Sequence, residues 1–182
     1  MNKEVFIYIN SMANKNNFLD MVMISVSQYT PYIFIGLLFC LWFIGRQKEA
    51  LYAGYATTLA VLINFVIGEF CFHPRPFMDN LGVALVSHKA ENSFPSDHSS
   101  FVISIALMLC SFKSTRAFGV VSLILALWCG LARVYCGVHY PFDIVGSIAV
   151  SIIAVSFIKL FSVKLDVVNA FIIDLYNQII KR

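Results

Sequence analysis

Between Arg116 and Arg133 the chain reads AFGVVSLILALWCGLA, sixteen residues without a charge. Comparable apolar runs lie near 26–45, 50–72, 98–113, 117–136 and 143–163. Most approach the ~20 helical residues needed to cross a hydrocarbon core ~30 Å thick at ~1.5 Å per residue. The run at 98–113 is short and would have to start in the interface. With 59% of residues hydrophobic and 13% charged, the chain departs from soluble domains, in which about a quarter of residues are charged. The expected fold is therefore all-α, an integral membrane helical bundle of five to six spans.

Two flanking segments carry weaker signals. The N-terminal MNKEVFIYINSMANKNNFLD has only a short apolar patch, broken by Asn10, Asn14 and Lys15, and does not read as a cleaved signal peptide. Residues 4–13 are expected as an interfacial helix. Residues 165–182 have apolar positions at helical spacing and are expected to form an amphipathic C-terminal helix lying on the membrane. The whole of 1–182 reads as a single domain. Cys40, Cys71, Cys110, Cys129 and Cys136 are scattered without metal-type pairing and read as small buried apolar residues.

Basic residues orient the spans. Arg46, Lys48, Lys113, Arg116, Lys159, Lys164, Lys181 and Arg182 all fall at one end when the runs alternate in direction, and by the positive-inside rule that end is cytoplasmic. The segments left at the other end, 73–97 and 137–142, hold nearly every residue capable of chemistry. The formal net charge of +3 is then mainly a topology signal, and no nucleic-acid partner is expected.

Three constellations stand out at that end. In FHPRPF, Pro74 and Pro76 stiffen the backbone around Arg75; a lone arginine there also serves as an interfacial anchor. In SFPSDHSS, Ser96 or Asp97 can cap the helix that His98 opens, and a helix start favours an anion. In ARVYCGVHYPFD, Pro141 suits a first helical turn, so Asp143 can hold one imidazole nitrogen of His139 and leave the other nucleophilic. A His and an Asp four apart also occur as a structural pair. Taken together, ionisable groups from three segments at one membrane face point to a functional site. Two guanidinium forks, a hydroxyl and helix-end amides make a phosphate cradle, with His139 as nucleophile and His98 as acid and then base. That inventory calls for no cofactor and no metal, and the four histidines lack the spacing of a helical zinc site.

The residues Arg75-Pro76, then Pro95-Ser96-x-His98, then Arg133, His139 and Asp143 resemble the three-part signature of the type-2 phosphatidic acid phosphatase superfamily. The resemblance implies that membrane fold and a lipid phosphatase activity. It assigns His139 as nucleophile, Asp143 as its partner, His98 as general acid, and Arg75, Ser96 and Arg133 as phosphate binders. FHPRPF and SFPSDH further resemble the undecaprenyl pyrophosphate phosphatases of the bacitracin-resistance type. This implies a polyprenyl pyrophosphate substrate among membrane lipids, a phosphohistidine intermediate, and a multi-pass bacterial cytoplasmic-membrane protein whose site faces outward.

Three positions depart from the pattern. Gly68 stands where the family usually has Lys, and Lys89 is a candidate replacement. Asp97 replaces a common Gly; it is expected to cap the helix or pair with Lys89, or else to tune His98. Ala132 replaces a common Ser. Asn64 is expected as an interhelical contact, Glu69 near the outer end of its span, and His73 and His88 as loop histidines. The alternatives are a broader lipid phosphatase acting on phosphatidylglycerophosphate, phosphatidate or lipid A, and a membrane transporter. A transporter is expected to place its charges nearer mid-span.

Overall fold

In the computed structural model, which describes residues 1–180, the first long helix begins well before the apolar run that announces it. Helix α1 spans Asn2–Asn10, and α2 spans Asn17–Phe43. The cause of the early start is local. The Asn16 side chain accepts hydrogen bonds from the Phe18 and Leu19 amides at 3.0 and 3.1 Å, capping α2. Asp20, which interrupts the hydropathy pattern, is buried and accepts the Tyr135 hydroxyl at 2.6 Å. It is an internal partner rather than a boundary, so the span expected from residue 26 starts at Asn17.

The remaining helices follow the expected order: α3 (Gln47–Phe70), α4 (Asp97–Ser111), α5 (Arg116–Tyr135), α6 (Pro141–Leu160) and α7 (Ser162–Ile180), with a 3₁₀ turn at Pro76–Asp79. Four of them, α2, α3, α5 and α6, are long and apolar enough to cross a membrane. Their outer surfaces carry exposed Phe39, Phe65, Ile124 and Ile153, the arrangement of a multi-pass membrane protein. Cys40 and Cys71 share that exposure, so only part of the cysteine set is buried as expected; each lies on a helix flank or end turned away from the bundle.

Helix α4, with 15 residues, is about 22 Å long, shorter than the ~30 Å hydrocarbon core. It packs against α3, α5 and α6, and Val102, Ile103, Ile105, Met108 and Leu109 form the centre of the apolar core. Close approach is set by glycine: a Cβ on Gly119 of α5 would lie 2.3 Å from the Cys110 backbone nitrogen of α4. Asn64 of α3 donates to Ser100 Oγ and to Asp97 Oδ1, each at 2.9 Å, the interhelical contact expected of it.

The first and last helices fasten the ends. At one end α7 is held to the start of α3: the Tyr52 hydroxyl lies 2.8 Å from Asp166 Oδ1, Lys48 pairs with Asp166 at 2.8 Å, and Tyr55 donates to Asn169 at 2.9 Å. Its Val163, Val167 and Phe171 remain exposed, as an amphipathic helix on a membrane surface requires. Lys181 and Arg182, used in the orientation argument, lie outside the described residues. At the other end α1 roofs the 71–96 segment. Phe6 is fully buried against Tyr140, Lys3 pairs with Asp79 at 2.8 Å, and Asn10 bonds Val83 O, Val83 N and Tyr135 O at 2.9, 2.7 and 2.8 Å.

Candidate active site

The roofed end collects the end of α3, the starts of α4 and α6, and the end of α5, so two helix N-termini point their unpaired amides and positive dipole ends toward one place. Pro141 occupies the first turn of α6, and Asp143 Oδ2 accepts the Tyr140 amide at 2.7 Å. The carboxylate is thereby fixed before any histidine is considered.

His139 sits just ahead of that helix and is 1% exposed. Its Nε2 lies 3.0 Å from Arg75 Nη1 and 3.3 Å from Arg133 Nη2. A guanidinium can only donate, so Nε2 carries a lone pair and the ring proton belongs on Nδ1. Nδ1 is 3.3 Å from Asp143 Oδ2. The tautomer follows from the network: a carboxylate holds the back of the ring, and the lone pair at the front is turned toward the two guanidiniums. Burial pushes the His139 pKa down, against the pull of Asp143, and the charges of Arg133 and Arg75 push it further the same way. The ring is neutral at pH 7.

Both arginines are buried, at 4% and 2% exposure. Arg75 is anchored by Val138 O at 3.0 Å and Asn92 O at 3.1 Å, with Glu91 at 3.4 Å. The Nε groups of Arg75 and Arg133 have no hydrogen-bond partner. Buried donors of this kind suit the oxygens of a phosphate group.

The second constellation splits in two. Ser96, fully buried, caps α4 by accepting the Ser99 amide at 3.4 Å, a long bond that leaves its hydroxyl able to turn. His98 is half-buried in the first turn and lines a cavity of about 310 Å³ together with His88, Arg133, Gln28, Tyr29 and Tyr32. Asp97 is exposed and held by Asn64; it neither caps the helix, since Ser96 does, nor pairs with Lys89. Lys89 is exposed, with only its carbonyl engaged, by Glu91 N at 3.0 Å and the His88 ring at 3.4 Å. At Gly68 a Cβ would meet the Asn92 amide at 3.2 Å, so Asn92 covers the place where the family carries its lysine. Glu69 is exposed at the rim, and Ala132 is fully buried.

Several site residues had no part in the motif reading. Ser93, fully buried, donates to Asp143 Oδ2 at 2.5 Å and lies 3.3 Å from His139 Nδ1. His73, expected as a loop histidine, has its Nδ1 edge buried 3.7 Å from Asp143 Oδ1, and neither atom has a hydrogen-bond partner. His88 faces the His139 ring at 6.4 Å between centroids. The nearest signal in the sequence was position: Ser93 is two residues before Pro95 and His73 two before Arg75. Among the described residues no group of three or more His, Cys, Asp or Glu side chains is placed to hold a metal ion.

Comparison with known proteins identifies the family and the fold. The family model described as PAP2 superfamily matches residues 49–166. The chain is 32% identical over 185 residues to undecaprenyl-diphosphatase BcrC of Bacillus subtilis, covering 100% of this chain and 95% of the relative. It is 27% identical over 186 residues to a Bacillus licheniformis protein named bacitracin transport permease protein BcrC, covering 100% and 90%. Among solved structures, LpxE of Aquifex aeolicus superposes with a TM-score of 0.74 at 26% identity, covering 86% of this chain and 93% of that one.

Proposed function

The chain belongs to the PAP2 superfamily, and from that premise we propose that it hydrolyses undecaprenyl pyrophosphate to undecaprenyl phosphate and inorganic phosphate, recycling a cell-wall lipid carrier and conferring bacitracin resistance. One observation carries the chemistry: two buried guanidiniums converge on His139 Nε2 while Asp143 holds Nδ1.

The terminal phosphoryl group takes the place between the arginines. His139 Nε2 attacks phosphorus in line, an N–P bond forms, and the P–O bond to the lipid monophosphate breaks. His98 gives a proton to that leaving oxygen. Arg75 and Arg133 neutralise charge on the equatorial oxygens, aided by Ser96 and the α4 amides. Asp143 stabilises the ring as it becomes cationic. Water then attacks the phosphohistidine with His98 accepting its proton, which frees His139 and releases phosphate.

The site end is the outer face of the bacterial cytoplasmic membrane, because Arg46, Lys48, Lys113, Arg116, Lys159 and Lys164 gather at the opposite end. Mid-span charge is the mark of a transport pathway; here the buried arginines sit at a helix end and beside one, around a histidine, which favours hydrolysis.

The deciding assay is phosphate release by purified protein in detergent with EDTA. Undecaprenyl pyrophosphate is expected to turn over faster than phosphatidate or phosphatidylglycerophosphate. Equal or reversed preference would overturn the substrate assignment.

A further inference from the structure

A diphosphate places two phosphates in the site, and the arrangement around His139 accounts for one. In-line attack requires the leaving oxygen on the face of phosphorus away from His139 Nε2. His98, the acid for that oxygen, lines the 310 Å³ cavity, and so does Arg133; His139 and Arg75 do not. The cavity thus lies on the leaving-group side of the reacting atoms.

Its other wall comes from α2. Gln28, Tyr29 and Tyr32 line it, and the two tyrosines are 59% and 69% exposed on a helix long and apolar enough to cross a membrane. A glutamine amide at that depth is costly unless it finds a polar partner. Tyrosine hydroxyls suit a boundary where one side is apolar and the other polar. Opposite them stand His88 and Ser87 of the outer segment. Arg133 supplies an Nε–H that is buried and has no partner. The wall of the cavity therefore faces the bilayer, and at its back Arg133 brings a buried, open hydrogen-bond donor. At about 310 Å³ it is near the lower limit of small-ligand pockets, ~300 Å³, room for a phosphate and a few carbons while the tail stays in lipid.

We propose that this cavity is a second phosphate subsite, in which Gln28, Tyr32, His88 and the Arg133 Nε–H bind the lipid-linked phosphate of a polyprenyl diphosphate. The assignment rests on the pyrophosphatase reading and deepens it. The subsite is what separates a diphosphate from a monoester. A substrate lacking the second phosphate leaves these donors unpaired, and sites built on hydrogen bonding reject such analogues strongly. The subsite also explains where the product monophosphate rests at the instant the phosphohistidine forms.

Gln28→Leu and Tyr32→Phe delete the donors and keep apolar contact with a tail. The test compares inhibition of the wild type and the double variant by a farnesyl methylenebisphosphonate and by the matching monophosphonate. The double variant is expected to lose about tenfold in affinity for the bisphosphonate, the scale of one or two charge-assisted hydrogen bonds, and to stay within about twofold for the monophosphonate. Its kcat/KM on undecaprenyl pyrophosphate should fall by a similar factor, with an aryl phosphate spared. Equal weakening of both inhibitors, or an unchanged ratio between them, overturns the subsite. A wild type that hydrolyses undecaprenyl pyrophosphate no better than phosphatidate overturns the pyrophosphatase reading and the subsite together; subsite failure alone shows only in the variant.

Discussion

An imidazole that attacks phosphorus must be neutral and aimed, and at His139 both conditions follow from its neighbours. Replacing His139 with Ala should lower kcat by about 10⁴-fold or more, as removal of a covalent nucleophile does, read as phosphate release in detergent. Ser93→Ala should lower kcat with little change in KM, because it removes a donor to Asp143 worth about 1.5–3 kcal/mol, roughly 10- to 100-fold. The pH profile has a definite sign. As the proposed nucleophile, His139 reacts unprotonated, and burial lowers its pKa, so the acid limb of kcat/KM should set in only below pH ~6.5, where an ordinary imidazole gains its proton, while the alkaline limb belongs to His98 losing the proton it donates. The same shift links to stability: below pH ~6.5 the unfolded chain binds the proton more readily, and the fold is destabilised as pH falls. The spacing of His139 and Asp143 made this pair legible in the sequence, since four residues around a proline-led helix start leave few geometries. Ser93, His73 and His88 were not legible, because their contacts depend on how an irregular segment folds back, and irregular backbone has no period to read.

At the scale of elements, the sequence located the spans because lipid imposes a length and an apolarity on each one. It misplaced the start of α2, where Asp20 breaks the pattern yet is satisfied internally by Tyr135. The roof was the least legible element, being held by single polar contacts over long chain separations. Those contacts give two further predictions. Asn10→Ala removes three hydrogen bonds between α1, the outer segment and α5 and should cost about 2–3 kcal/mol, seen as faster hydrogen exchange at the Val83 amide. Gly137→Ala should do more damage. Gly137 has φ +80, and a Cβ there would lie 2.2 Å from Val83 O, so His139, two residues on, must shift. Activity is expected to fall at least about tenfold for a displacement near 1 Å, while helix content by circular dichroism stays unchanged.

At the scale of the molecule, the two ends differ in chemistry, and topology can be read directly. In a protein stripped of its five cysteines, Lys89→Cys should react with an impermeant maleimide added to intact cells, and Lys113→Cys should react only after permeabilisation. The reverse pattern would turn the site toward the cytoplasm. One consequence of α4 concerns how such a molecule is made. With 15 residues, a Ser-Asp-His start and buried Ser99, Ser100 and Ser104, α4 is too short and too polar to partition from the translocon into lipid alone. It is tolerated because α3, α5 and α6 surround it. Biogenesis therefore has to deliver α4 together with its neighbours. The segment that carries His98, the proposed acid, is the one whose insertion depends on the rest of the bundle, so a half-assembled chain holds no half-built catalyst.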